Sequence, residues 1–303
     1  MKRLKSIAAA AVIVSASGVG VADSGDPIKI AINEWTGQHI SAHLAGQLLE
    51  KAGYKVEYVT AGAVPQFAAI AQGNLHLQPE VWDNNVGDIY PKAIESGDIV
   101  KVGSLGLDPR EGWIYPPYME EKCPGLPAAD ALVKCAQAFA TPETFPRGRL
   151  VTYPADWGTR SKELVTNAGL PLEAVAGGSE GAMVAELKSA YAAKQPMLMM
   201  FWEPHWIHAE LKFNWVDLPA ATADCDTNPA PGFDAGKTGD CGFAQASIGK
   251  VVWKGFKDKW PGAYKLVDAI KIDNKGRKLE EVVAEWIGAN EATWKPWVDA
   301  AKM

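Results

Sequence analysis

Ile28-Lys-Ile-Ala-Ile-Asn-Glu-Trp35-Thr-Gly-Gln38 decides the fold. Ile28 to Ile32 is a short β-rich run that leads straight into Asn33, Glu34 and Trp35, and a helix pattern follows over about 41–52. A strand ending in a large aromatic just before a helix puts that ring where open α/β sheets place their ligands, outside the carboxyl ends of the strands. The arrangement recurs, because Trp82, Trp157 and Trp202 each follow a short apolar or β-rich run. Ordinary packing accounts for any one of these indoles. Four at the ends of predicted strands point to a shared aromatic pocket.

Outward from this stretch, strand and helix alternate. A strand at 56–59 leads to a helix over 65–72, with Pro65 suited to the first turn. Leu75 to Leu77 runs on through Gln78-Pro-Glu-Val-Trp82, a helix covers 86–96, and a strand returns at 100–105. Such alternation implies parallel pairing through right-handed crossovers. Asp108-Pro-Arg-Glu-Gly-Trp-Ile-Tyr-Pro-Pro-Tyr118 cannot be a long helix and reads as a crossing into a second lobe. That lobe repeats the pattern, with strands at 150–153, 172–175, 197–202 and 215–218 and helices at 161–168 and 180–193. A long loop rich in Asp, Pro and Gly spans 219–242, a strand at 248–253 returns to the first lobe, and helices are expected over 263–270 and 279–291. The expectation is an α/β protein with a cleft between two lobes. Residues 23–106 and 243–303 form the first lobe and 107–242 the second.

The chain has 303 residues, room for two domains of ordinary size, and its formal charge of -6 argues against a nucleic-acid partner. Lys2, Arg3 and Lys5 precede a short apolar run, and small residues close it at Ala22, which reads as a secretory signal peptide over 1–22. No other stretch approaches the roughly 18 apolar residues of a membrane span. An exported, soluble, periplasmic protein is expected. An oxidising compartment makes disulfides the expected state of Cys123, Cys135, Cys225 and Cys241. Of the three pairings, Cys123–Cys135 with Cys225–Cys241 is preferred, since each closes a local loop rich in Pro, Gly and polar residues.

No catalytic motif is present: there is no Gly-x-Ser-x-Gly, no phosphate loop and no His-Glu-x-x-His. The expectation is a protein that is not an enzyme and carries no cofactor. His39 and His43 lie at i, i+4 and could chelate a metal, but such a pair more often faces solvent. Asp224-Cys-Asp-Thr-Asn228 echoes the start of a calcium loop, with Asp234 and Asp240 nearby. It lacks the sixth-position Gly and the terminal Glu, so a solvated acidic loop is the reading and no metal site is assigned.

The aromatics remain. Twelve tryptophans in this chain are well above ordinary usage, and Trp35, Trp82, Trp113, Trp157 and Trp202 all fall after strands or at the crossing. Indole faces attract a desolvated cation by about 2 kcal/mol per contact. A methylated ammonium has no N–H to donate, so rings must replace hydrogen bonds in holding it. Glu80 and Glu111 lie two positions before Trp82 and Trp113 and can share their side of an extended segment, whereas immediate neighbours such as Glu34 and Asp156 point away.

At these motifs the chain resembles the substrate-binding proteins of ABC importers for glycine betaine, proline betaine, choline and related methylated amines. The resemblance runs through Asn33-Glu-Trp-Thr-Gly-Gln, Leu77-Gln-Pro-Glu-Val-Trp-Asp-Asn, Pro154-Ala-Asp-Trp-Gly and Phe201-Trp-Glu-Pro-His-Trp, and covers nearly all the chain after residue 22. It implies the two-lobed, type II periplasmic binding-protein fold, a cleft that closes on ligand, and a permease partner in the inner membrane. It places Trp35, Trp82 and Trp202 in an aromatic cage and Trp157 in a second-lobe ligand loop, with Trp113 a further candidate. Glu111-Gly-Trp-Ile-Tyr-Pro-Pro-Tyr is similar to the trimethylamine N-oxide subgroup, and the acidic bias near the motifs favours that ligand or choline over glycine betaine, with Glu111 meeting the N-oxide oxygen; backbone amides at the helix start Trp157-Gly-Thr are the candidate donors for a carboxylate if the ligand is a betaine. The alternative is an amino-acid binder, using Asp156 for the amine and Arg160 for the carboxylate.

Overall fold

The computed structural model of the chain describes residues 23–84, 86–229, 232–272 and 292. The signal peptide expected at 1–22, the helix expected over 279–291, and Trp286, Trp294 and Trp297 lie outside the described residues. Strand β1 (Ile28–Ile32) pairs in parallel along its length with β2 (Val56–Thr60), and α1 (Thr36–Lys51) connects them. After α2 (Gln66–Ala71), β3 (Leu77–Trp82) joins the other side of β1, and α3 (Ile89–Glu95) leads to β4 (Ile99–Ser104).

The chain then crosses to a second sheet and enters it as β5 (Arg110–Tyr115). This corrects the sequence reading, which took the whole Pro-rich stretch as a crossing. Pro109 precedes the strand and Pro116 and Pro117 follow it, so the prolines flank an extended segment and do not interrupt it. There follow α4 (Met119–Lys122), β6 (Pro124–Pro127), α5 (Ala131–Cys135), β7 (Gly148–Thr152), α6 (Arg160–Ala168), β8 (Leu172–Ala176), α7 (Glu180–Ala193), β9 (Met199–Glu203), α8 (Ile207–Glu210) and β10 (Asn214–Trp215). Strand β11 (Ile248–Trp253) returns to the first sheet, followed by α9 (Phe256–Lys259) and α10 (Pro261–Ala269).

The sheets have orders β2-β1-β3-β11-β4 and β8-β7-β9-β5-β10. These are the same arrangement. Three parallel strands are followed by the strand arriving from the other sheet, which runs antiparallel, and then by a fifth. The segments leaving the carboxyl ends of β1, β3, β7 and β9 therefore face one another across the cleft. Pro79 sits inside the central strand β3, where it cannot donate to the ladder. The β3–β11 register shifts between Gly249 and Val251, opposite this part of β3, and Glu80 to Trp82 continue toward the cleft.

Both sheets are covered by apolar side chains. In the first lobe, Ile28 and Ile30 pack on Leu49 and Trp260 on one side, and Ala31 packs on Phe67 and Ile70 on the other. In the second, Trp113, Tyr115 and Phe201 are fully buried, and Trp35 and Trp82 of the first lobe pack against the same cluster. The disulfides are Cys123–Cys135 and Cys225–Cys241, with Cα–Cα distances of 5.2 and 6.3 Å. Among the described residues no helix is long and apolar enough to cross a membrane.

Candidate ligand-binding site

Four of the five singled-out tryptophans meet in the cleft. Trp35 and Trp157 touch across it, with ring centroids 5.2 Å apart and planes at 65°. Trp157 and Trp202 stand 5.8 Å apart at 75°. Tyr153 packs edge-on against both, at 5.7 and 5.5 Å. These rings, Trp82 and Phe67 line a cavity between the lobes, with Glu80 and Glu111 among its few polar groups. Among the described residues that line it there is no Lys, Arg or His.

Trp113 is not part of the cavity. It shares the parity of Glu111 on β5, but it lies about 7 Å deeper along the strand. There its indole is fully buried and donates from Nε1 to Ser161 Oγ at 3.0 Å. Its place in the cage is therefore corrected to a place in the second-lobe core.

The two carboxylates do different things. Glu80 is buried, and its Oε1 accepts from the indole nitrogens of Trp35 at 2.8 Å and Trp82 at 3.1 Å. Its Oε2 accepts from Ser41 Oγ at 2.6 Å. One side chain thus fixes two cage rings by their edges and leaves their faces free. Loss of hydration raises its pKa above the usual carboxylate value, against the pull of those three donors, and the nearby Glu180 charge adds to the rise. Glu111 accepts from Tyr153 Oη at 2.7 Å and from Asn84 Nδ2 of the first lobe. Loss of hydration raises Glu111 as well, and Tyr153 and Asn84 offset part of the shift. Asn84 Oδ1 is the one buried side-chain nitrogen or oxygen among the described residues without a hydrogen-bond partner. Glu34 and Asp156 are exposed, but they lie in the bend after β1 and the turn after β7, outside the strands whose alternation was expected to turn them away.

A closed set of amides supports the first-lobe side. Gln38 Oε1 accepts from Asn33 N at 2.8 Å, and Gln38 Nε2 donates to Ala31 O and Gln78 Oε1. Gln78 Nε2 donates to Asn33 Oδ1 and Gln66 Oε1, and Asn33 Nδ2 donates to Ala61 O and Gln66 Oε1. Buried amides satisfied this completely fix the chain segments that carry them. Here they tie β1, α1, α2 and β3 together beneath Trp35 and Glu80.

Arg160, the cation of the amino-acid reading, is held elsewhere. It donates to Cys241 O at 2.9 Å and pairs with Asp226 at 3.6 Å, both in the disulfide-closed loop. His39 and His43 are neighbours on α1 with ring centroids 6.5 Å apart, and His43 packs on Tyr58. Among the described residues no group of three or more His, Cys, Asp or Glu could hold a metal ion.

Sequence reasoning missed Tyr153 and Glu180. Tyr153 directly precedes the Pro154-Ala-Asp-Trp motif, and a Tyr at the carboxyl end of a predicted strand was the available signal. Glu180 is the first residue of α7, and nothing local marks it as facing the other lobe.

Residues 26–292 match the family model for the substrate-binding domain of ABC-type glycine betaine transport systems. Over an alignment of 319 residues the chain is 30% identical to the trimethylamine N-oxide-binding protein of Pelagibacter ubique, covering 98% of this chain and 99% of that protein. Among solved structures, the lactococcal protein OpuAC, closed and complexed with glycine betaine, superposes with a TM-score of 0.64 at 18% identity, covering 90% of this chain and 99% of that one. An ABC-transporter choline-binding protein in complex with choline gives 0.65 at 15%, covering 90% and 92%. At such identities the structures speak for the two-lobed fold.

Proposed function

The chain belongs to the family of substrate-binding domains of ABC-type glycine betaine transport systems, and on that premise we propose that its cleft holds a methylated amine without a carboxylate. It is a substrate-binding protein of an ABC importer for ligands of the betaine, choline and trimethylamine N-oxide type. Within that class we favour trimethylamine N-oxide or choline over glycine betaine. The observation that carries the choice is a cavity walled by indoles and two glutamates, with no Lys, Arg or His among the described residues of its lining. A trimethylammonium group meets the indole faces and two carboxyl groups. The carboxylate of glycine betaine would meet the same side chains with no cation to offset them.

We propose Trp35, Trp82, Trp157 and Trp202 as the cage, with Tyr153 as a fifth ring and Glu111 as the group that meets the ligand's polar end. When protonated, Glu111 can donate to an N-oxide oxygen. When ionised, it serves as counter-charge or accepts from choline's hydroxyl. The cage rings come from both lobes and touch, so entry requires the lobes to part. We place the lobe boundaries near 106 and 243, the protein in the periplasm after loss of 1–22, and the receiver of the closed form in an inner-membrane permease. The chain's role is carriage of an unchanged ligand, not turnover.

Calorimetric titration with trimethylamine N-oxide, choline, glycine betaine, proline betaine, carnitine and histidine tests the reading. Tight binding of the first or second with weak glycine betaine is expected. Tight glycine betaine binding would overturn the exclusion of carboxylates, and binding of histidine alone would overturn the cage.

A further inference from the structure

Helix α1 begins without a partner of its own. Trp35 is its N-cap residue, with extended backbone and no side-chain cap, so the first amides of the helix have no local acceptor. The acceptor comes from the other lobe. Glu180 Oε2 accepts from the backbone N–H of Thr36 and from Thr36 Oγ1 at 2.9 Å. Helix α7 has its own cap, Ser179, which accepts from Ala182 N at 3.2 Å, so the Glu180 carboxylate is not needed there.

Its other oxygen is held by His205. His205 Nδ1 accepts from Ile207 N at 3.1 Å and therefore carries no proton, which leaves Nε2 as the donor to Glu180 Oε1 at 2.6 Å. Glu180 thus sits at the first residue of one helix while facing the start of another, and the positive ends of both helix dipoles bear on it. The chain of bonds from His205 through Glu180 to Thr36 joins two cage motifs. Thr36 directly follows Trp35, and His205 lies three residues after Trp202.

We infer that Glu180 is a positioning residue for ligand binding, a cap for α1 delivered across the cleft that forms when the lobes meet and holds Trp35 against Trp157 and Trp202. It is not among the residues that line the ligand cavity, and its effect passes through the backbone of Thr36. The inference goes beyond the ligand reading, but it rests on that reading in taking the cleft as the binding site. With the lobes apart, water caps Thr36 and the bond contributes nothing to the stability of the ligand-free protein.

The test compares wild type with Glu180→Ala and Thr36→Pro in the full protein, with trimethylamine N-oxide and choline as probes. Proline is favoured at the first position of a helix, so Thr36→Pro removes the N–H that Glu180 accepts while leaving α1 well formed. Both variants are expected to weaken whichever probe wild type binds by about tenfold, the effect of losing one helix cap. Stopped-flow tryptophan fluorescence should place the loss in the dissociation rate, with the melting temperature of the ligand-free protein unchanged. A ligand-free protein that melts lower while affinity holds would make the bond ordinary packing of one rigid body and overturn the latch alone. Wild type binding neither probe would overturn the reading of the cleft and this role with it.

Discussion

Glu111→Gln removes one negative charge from the cavity and keeps the shape of the side chain. The new amide oxygen can accept from Tyr153 as the carboxylate does at 2.7 Å. Its NH2 group would face Asn84 Nδ2, two donors together, and turning the Asn84 amide over relieves this at the cost of the Nδ2 bond to Ala244 O at 3.2 Å, while Oδ1 has no partner to lose. The fold is therefore expected to hold, and the effect to be electrostatic. A cation about 5 Å from an ionised carboxylate at an effective dielectric of about 20 is stabilised by roughly 3 kcal/mol. Tyr153 and Asn84 already neutralise part of that charge, so the expected loss of choline affinity at pH 8 is between about tenfold and a hundredfold. Trimethylamine N-oxide carries no net charge and needs a donor, which the amide supplies, so its loss is expected to stay within about threefold.

The pH dependence has a fixed sign. Glu111 is raised above 4.5 in the folded protein by loss of hydration. As pH rises through that raised value, choline binding should strengthen and trimethylamine N-oxide binding weaken, and both trends should flatten in Glu111→Gln. The same shift bears on stability. A carboxyl raised in the folded state contributes fully below its unfolded value near 4.5 and loses that contribution as pH climbs through the folded value. The ligand-free variant should then melt no lower than wild type at pH 8. Titration calorimetry at pH 6 and 8, with melting curves, measures all of this. Choline affinity unchanged at pH 8 in a folded variant would refute the counter-charge argument.

Further expectations concern the rest of the cleft. Trp35→Ala or Trp202→Ala should each weaken choline by about thirtyfold or more, the worth of one desolvated cation–π contact, and unchanged calorimetric affinity in both would sink the cage. Glu80→Gln keeps an acceptor for the indole N–H groups and should lower melting only slightly. Glu80→Ala leaves two indole N–H groups and the Ser41 hydroxyl without acceptors, at about 1–3 kcal/mol each, and should lose both stability and affinity in melting and binding assays. Replacing Cys123 and Cys135 together by Ser should cost about 3 kcal/mol in denaturant unfolding while leaving affinity unchanged, since neither residue lines the cavity. Replacing Cys225 and Cys241 together by Ser should instead improve glycine betaine relative to choline in the same titrations, because it loosens the loop that holds Arg160.

Much of the fold is legible in the sequence where the determinants are local. Helix α7 has the bounds expected of it, Glu180–Ala193, because Ser179 caps it from the next position. The start of α1 was placed at Ser41 and falls at Thr36, because its cap is Glu180 from the other lobe, and no pattern within the segment can report a partner so distant in sequence. Strand β5 was hidden for a related reason. Its prolines were weighed as breakers of the stretch, whereas the antiparallel neighbours β9 and β10, supplied much later in the chain, decide that it extends. The four indoles that meet in the cavity are legible because each lies at the carboxyl end of a strand or in the few residues that follow it. Trp113 shared their sequence context and differs only in depth along β5, a coordinate that alternation does not carry.

The sign of the cavity's charge depends as much on where cations are withheld as on where glutamates stand. Glu80 and Glu111 are each satisfied by neutral donors, indoles and a hydroxyl for one, a phenol and an amide for the other. Neutral donors lower the cost of burying a carboxylate but leave its charge uncancelled. An arginine would cancel it, and would then compete with any cationic ligand for the same space. Arg110 and Arg160 are the bases that the sequence places nearest the motifs; Arg110, at the start of β5, lies over the Trp215 ring, and Arg160, at the start of α6, turns to another loop. The carbonyls of Cys241 and Gly242 and the carboxylate of Asp226 all engage it from one loop. The Cys225–Cys241 disulfide closes that loop and so fixes two of these acceptors. With that loop closed, the Arg160 guanidinium stays engaged there, and it is not among the described residues that line the cavity.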